Sequence, residues 1–344
     1  MAEVLLANHD FDLFSGSTKT SKKAAEAVHR LSDFYIQNPG APTPWQESWC
    51  QLAYLSYYLP LNSLRCRAVF QEAARFDFFR ETCSVIDFGS GLGSASLELK
   101  KFAPHISHFT HIEHATQAAH LHQQLVSPGH QEEWIRQFSK IPKQSEHSMA
   151  LFSYSLTELT SIPDWLYSLE KLVIIEPASS IQGRRLLEFR QQLIDRGFFM
   201  WAPCTHQKAC PLLIQSKNDW CHDRIHFEQP EWFQKIEAEL PIKNPTLTFS
   251  YLVASRQPSP LIHSVKKAAR ITGDLLREKG KSRQLLCRGP EREYLAWMNR
   301  DGEAQEIARG TLVEAPLEYQ QKSNEIRLTK SLQEIQAWVD SPST

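Results

Sequence analysis

The stretch CSVIDFGSGLGSA, residues 83–95, decides the fold. Its first half is a short apolar run, the signature of a strand buried on both faces of a parallel sheet. Its second half brings Gly89, Gly91 and Gly93 into one loop. A strand passing through such a loop into a helix lets the backbone approach a ligand closely. The free N–H groups of the helix start then face that ligand. Similar apolar runs follow: HFTHIE (108–113), SMALFSY (148–154), EKLVIIEP (170–177), GFFMWAP (197–203) and TLTFSYLVAS (246–255). Helical periodicity fills 94–102, 115–125 and 180–196 between them. Alternation at this length predicts an α/β domain with helices on both faces of a parallel sheet.

Before this domain, helical patterns over 21–37, 45–58 and 62–79 are separated by PGAPTP (39–44) and Pro60. They predict a helical N-terminal cap over 1–80. After it, PSP (258–260) marks a linker and 262–277 has helical spacing. QLLCRG, REYLAWMNR, IARGTLVEA and NEIRLT then suggest short strands. The expected organisation is therefore 1–80 cap, 81–257 α/β domain and 258–344 β-rich, barrel-like appendage.

The 344 residues carry a formal net charge of -1, so no global field draws the chain to nucleic acid or acidic membranes. No apolar run approaches the ~20 residues needed to span a bilayer. The first residues, with Glu3, Asp10 and Asp12, lack signal- and transit-peptide character. The expectation is a cytoplasmic protein, probing no membrane, whose thiols stay reduced. There a cysteine cluster favours metal binding or catalysis over disulfides.

The glycines are spaced G-x-G-x-G, not the G-x-G-x-x-G of dinucleotide sites. Asp87, just before them, can receive the ammonium of an amino-acid ligand. This combination resembles the first motif of S-adenosylmethionine (SAM)-dependent methyltransferases. Glu113, ending the next strand, can accept ribose hydroxyls. Together Asp87, Gly89, Gly91, Gly93 and Glu113 predict a SAM pocket, with a nicotinamide cofactor as the lesser alternative. Tyr154 and Glu158, in SYSLTEL (153–159), should lie beyond a strand's C-terminal end and line the substrate side, and Glu176 can face the same cleft.

A second constellation lies in APCTHQKACPLLIQSKNDWCH, residues 202–222, with Cys204, Cys210, Cys221, His206 and His222. Three thiolates need a fourth ligand, supplied by Cys287 in the appendage or by a histidine. The spacing C-x5-C-x10-C is not that of a zinc finger, and it suits an iron–sulfur site with a remote cysteine equally well. From the residues alone, zinc and iron–sulfur stay open. Cys50, Cys66 and Cys83 have apolar neighbours and are expected in the core.

DFGSGLGSA, SYSLTEL, the long run LVIIEPASSIQGRRLLEFRQQLIDRGFFMWAPCTHQKACPL, WCH and FSYLVASR together resemble one family. It is the methyltransferase-like family associated with the small ribosomal subunit in mitochondria and many bacteria, and the resemblance covers about residues 45–300. It implies a Rossmann-like SAM-dependent methyltransferase fold and a [4Fe–4S] cluster, with zinc as the alternative. It also implies a role in small-subunit assembly or translation through ribosomal RNA. Cys204, Cys210 and Cys221 fall on the family's clustered ligands, with Cys287 as the fourth and His222 as fallback. Methyl transfer is implied only through the fold: the chain has no Asn-Pro-Pro-Tyr-type motif. A non-catalytic assembly factor is therefore the alternative, while a radical-SAM enzyme is disfavoured because C-x3-C-x2-C is absent.

Residues 263–310 hold eleven Lys/Arg against seven Asp/Glu. Lys266, Lys267 and Arg270 are the expected RNA contacts, extended by Arg184 and Arg185, while Tyr294 and Trp297 either stack a base or face a small core. Nothing suggests a coiled coil, and a monomer is expected.

Overall fold

The computed structural model describes residues 4–5, 18–38, 40–126, 129–136, 147–156, 159, 162–241, 243–263, 267–328 and 330–335. The chain forms two compact units, 1–70 with 82–161 and 225–247, and 71–81 with 162–224 and 248–344. These do not follow the linear division at 80 and 257. The cysteine-bearing loop shares a unit with the C-terminal strands because its side chains pack on them.

In the first unit, β1 (Ser84–Phe88), β2 (His108–Ile112), β3 (Gln131–Ile135) and β4 (Ser148–Ser153) form a parallel sheet in the order β3-β2-β1-β4. Val85 pairs with Phe109 on one side and Met149 on the other, and all three are fully buried. The continuous apolar runs mark central parallel strands, as expected. β3 was not foreseen, because QEEWI is polar and lies at the sheet edge. Helices α4 (Ser94–Phe102) and α5 (Thr116–Leu125) follow β1 and β2. The chain thus has the mixed α/β fold with a parallel sheet that its sequence predicts.

The helical N-terminal segment belongs to this unit. Helices α1 (Thr18–Gln37), α2 (Ser48–Ala53) and the start of α3 (Leu59–Ala74) pack with a later helix, Glu231–Glu239, around Leu31, Tyr57, Leu64 and Phe233. Tyr57 stacks on Phe233 with ring centroids 5.1 Å apart and donates a 2.6 Å hydrogen bond to Glu237. Pro60 does not break the helical path: a π-helical turn over Tyr54–Tyr58 leads directly into α3.

In the second unit, β5 (Lys171–Glu176) and β6 (Phe199–Ala202) pair antiparallel with one long strand, Thr246–Ser255. Helix α6 (Ser180–Asp195) lies between β5 and β6 in sequence, with its start capped by Ser179. The C-terminal strands form a seven-stranded sheet around Ile271, Leu286, Leu295 and Val313. It is antiparallel except where Glu293–Met298 pairs parallel with Glu325–Arg327.

Among the described residues, strands replace the helix expected over 262–277. A one-turn helix, Pro260–His263, precedes a strand Ala268–Ile271 and another at Leu276–Glu278. Strand geometry carries Arg270 inward. Its guanidinium pairs with Glu72 and donates to the carbonyls of Pro203 and Gly310, the latter at 2.6 Å. Arg270 is 1% exposed and therefore cannot present itself to RNA, which corrects that expectation. Burial alone would raise the Glu72 carboxyl, but Arg270 and Arg75 hold it below its ordinary value.

Removing one partner of a buried pair strands the other charge. Arg270→Met should therefore lower the unfolding free energy by roughly 3–5 kcal/mol, read as a fall in the urea midpoint at unchanged m-value.

Candidate functional site

The first unit carries the glycine loop at the C-terminal ends of its parallel strands. Gly89, Gly91 and Gly93 have φ of 65°, 52° and 77°, where side chains are strained. Two of them are also sterically locked. A Cβ on Gly89 would sit 2.6 Å from the Ser155 Cβ, and one on Gly93 only 2.0 Å from His122 Nε2. Around Gly91 nothing lies within 4 Å of such a Cβ, so that glycine faces open space. Ser155 Oγ donates to the Phe88 carbonyl at 2.6 Å, fastening the segment after β4 to the end of β1. The SYSL and glycine loops therefore meet.

Glu113 closes the loop from the end of β2. Its carboxylate accepts from the backbone amides of Gly91 at 2.9 Å and Ala115 at 2.8 Å. Asp87 is 1% exposed, and its Oδ2 lies 3.7 Å from His111 Nδ1. His111 reaches Glu132 through Nε2 at 2.5 Å, and Lys100 meets the same carboxylate at 2.5 Å. Of the two predicted cofactor acids, Glu113 is thus engaged by backbone amides, whereas Asp87 Oδ2 is buried without a hydrogen-bond partner. Tyr154 adopts φ 63°, uncommon for a bulky residue, with the Arg65 guanidinium 6.0 Å from its ring centroid. Glu158 lies outside the described residues. Glu176 is fully buried.

The second unit holds the thiols. Cys204, Cys210, Cys221 and Cys287 line one cavity together with Arg190, His206, Leu187, Leu212 and Tyr251. The loop is secured from several sides. Thr205 donates to the Cys287 carbonyl at 3.1 Å and Ser250 to the Cys221 carbonyl at 2.8 Å. Arg184 donates to the carbonyls of Leu212, Ser216 and Asp219, so it clamps this loop and is not spare charge for RNA.

Arg190 is the residue sequence reading missed. None of its surface is exposed. Its Nε donates to the Cys204 sulfur at 3.0 Å, and its Nη2 to the carbonyls of His206 and Lys208 at 2.8 and 3.0 Å. Nη1 is buried without a partner. The available signal was helical phase: Arg190 follows Gly183, Leu186 and Leu187 on the buried face of α6.

Of the two candidate histidines, His206 lines the cavity, its Nε2 3.5 Å from the Cys287 sulfur. His222 instead stacks on Trp220, 5.3 Å between centroids, and is not among the cavity residues. Burial pushes the thiols of Cys210, Cys221 and Cys287 up, so without a cation these groups stay protonated. Among the described residues, no three thiol or imidazole ligand atoms here lie within 4.8 Å of one another. Zn–S bonds of about 2.3 Å place tetrahedral sulfurs only about 3.8 Å apart. Cys50 and Cys66 are core residues as expected, whereas Cys83, expected in the core, is exposed at the edge of β1.

The expected RNA surface is less free than its charge count suggests. Lys266 lies outside the described residues and Lys267 is exposed. Arg277, Arg283, Arg288 and Arg292 pair with Glu306, Glu278, Glu293 and Asp219. Tyr294 and Trp297 are buried, so they pack in the core and do not stack on a base.

A parallel sheet with a left-handed glycine loop at its C-terminal edge defines a Rossmann-like α/β protein. Within that class the chain belongs to the Rsm22 family, described as "Mitochondrial small ribosomal subunit Rsm22", whose model matches residues 50–312. No curated protein matches it significantly. Among solved structures it is similar to a proposed RNA methyltransferase from Pyrococcus horikoshii, at 13% identity and TM-score 0.35, over 68% of this chain and 97% of that one. It is also similar to the precorrin-6y C5,15-methyltransferase of Geobacter metallireducens, at 14% and 0.34, over 55% and 86%. A third likeness is the plantazolicin methyltransferase BpumL, at 13% and 0.31, over 70% and 100%. At these scores the likeness carries no argument, and the fold rests on the observed strand order. Among the described residues no helix is long and apolar enough to cross a membrane.

Burial, with His111 and Lys100 nearby, pushes His122 down to about 2. The unfolded chain therefore takes up this proton first, as pH falls through about 6.5, and stability drops with it. His111 is raised by Asp87 and Glu132 against its burial, so it contributes in the opposite sense. In His122→Gln, the proton uptake on unfolding between pH 6.5 and 5 should fall by about one. Urea titrations across that range measure it.

Proposed function

We propose that the chain is a SAM-binding, [4Fe–4S]-containing, methyltransferase-like factor of small ribosomal subunit assembly or translation, working on ribosomal RNA. The observation that carries the cluster is Cys287. It lies far along the chain from Cys221, yet it lines the same cavity as the other three thiols. The resemblance carried by the cysteine-rich run favours an iron–sulfur cluster over zinc. The cluster would tie the loop over 203–222 to the C-terminal strands, and the metal would supply the cation that lets buried thiols ionise. The link to the small subunit follows from the family's description.

Support for SAM comes from the glycine loop. Gly91 faces open space, and Glu113 fixes the loop's backbone so that remaining N–H groups can meet an anionic group. Bound SAM would supply the methyl group. Tyr154 and the undescribed Glu158 remain the proposed substrate-side residues, and Lys267 with Lys266 the proposed RNA contacts. A cytoplasmic monomer is part of the same reading. The alternative, an assembly factor without turnover, is favoured by one observation. Glu113 already accepts two backbone amides, which leaves it less free for a ligand.

Transfer of labelled methyl from SAM to immature small subunits separates the two. Label in ribosomal RNA is the expected result, while tight SAM binding with no label would establish the non-catalytic alternative. For the ligands, Cys287→Ser should lose most bound iron, and His222→Ala should keep it. Equal loss in both would remove Cys287 from its assigned place.

A further inference from the structure

Arg190 is a permanent cation with 0% exposure, and its hydrogen-bond partners are one sulfur and two carbonyl oxygens. Among the described residues it meets no carboxylate. The contrast with Arg270 is instructive, because that buried guanidinium has Glu72 opposite it. A buried charge without a counter-charge is costly by several kcal/mol. The group that occupies this cavity must therefore bring negative charge to Arg190. Nη1, buried and unpartnered, leaves the guanidinium with donor capacity beyond the bonds it already makes.

The placement is also rigid. Arg190 sits on the buried face of α6 with Gly183, Leu186 and Leu187, and its Nη2 bridges the carbonyls of His206 and Lys208. It thereby fixes the loop between Cys204 and Cys210 while touching the Cys204 sulfur. A lysine would keep the charge but lose the fork.

Resting on the cluster reading above, we propose that Arg190 is the positioning residue that sets the reduction potential of the thiolate-bound cluster, by hydrogen bonding to Cys204 and by its positive charge. Potentials of such centres respond to net charge and to hydrogen bonds on the sulfurs. Reduction adds negative charge, so a nearby cation stabilises the reduced form more than the oxidised one. Arg190 therefore raises the potential, and removing its charge lowers it.

The test uses the full chain, reconstituted without oxygen with iron and sulfide, and titrated with dithionite as the one-electron donor in the presence of redox dyes. The reduced fraction is followed by electron paramagnetic resonance. Arg190→Gln should shift the reduced-to-oxidised ratio at least tenfold toward oxidised at fixed ambient potential, about 59 mV for a one-electron couple. Arg190→Lys should fall between Arg190→Gln and the parent. An Arg190→Gln midpoint equal to the parent's overturns the proposal. Where Arg190→Gln alone loses iron, the Arg190→Lys midpoint decides: below the parent's supports the proposal, equal to the parent's overturns it. Loss from both variants, with parent-like circular dichroism, overturns it in favour of loop fastening. A parent without iron and sulfide sinks this inference and the cluster reading together, and is seen before any variant is made.

Discussion

Arg190 imposes the constraint on which the cysteine region depends: a cation removed from water must be matched inside the protein. Its neighbours are the thiols. Burial alone keeps Cys210, Cys221 and Cys287 protonated, and protonated thiols offer Arg190 no charge. The proposed ligation of a metal would resolve both problems at once, because coordinated thiols are deprotonated. The same unit binds its other buried arginine, Arg270, to Glu72, and through it fastens Pro203 to Gly310. The loop that starts at Pro203 is thus held by one cation at its root and another along its length.

The first unit follows a steric logic instead. Gly93 is pressed against His122 and Gly89 against Ser155, so two glycines are consumed by packing and only Gly91 is left open. Glu113 ties the loop to the next strand through backbone amides. A loop fixed this way holds its N–H groups in place before a ligand arrives, which reduces the ordering cost of binding.

Much of this was legible in the sequence, for identifiable reasons. The buried parallel strands are unbroken apolar runs, and all of β1, β2 and β4 fall where those runs lie. Family membership matched the resemblance carried by the glycine loop and the cysteine-rich run. The failures have physical causes. QEEWI gave no strand signal because it sits at a sheet edge. The segment over 262–277 has helical spacing, but β pairing with strands distant in sequence overrides that local preference. Arg270 counted as basic surface, since charge counting cannot show that Glu72 awaits it. Tyr294 and Trp297 read equally as core or as stacking platforms, because the core they fill is assembled from strands far apart in the chain. Arg190 was hidden because an arginine on a buried helix face is read as an interruption of the pattern rather than as a functional group.

The proposed centre would join four cysteines distant in sequence. Iron, acid-labile sulfide and zinc content of the full chain, purified without oxygen, is the measurement that decides it. About four irons and four sulfides per chain and no zinc are expected. One zinc per chain without sulfide would overturn the proposed cluster, and the thiols would then form a structural zinc site.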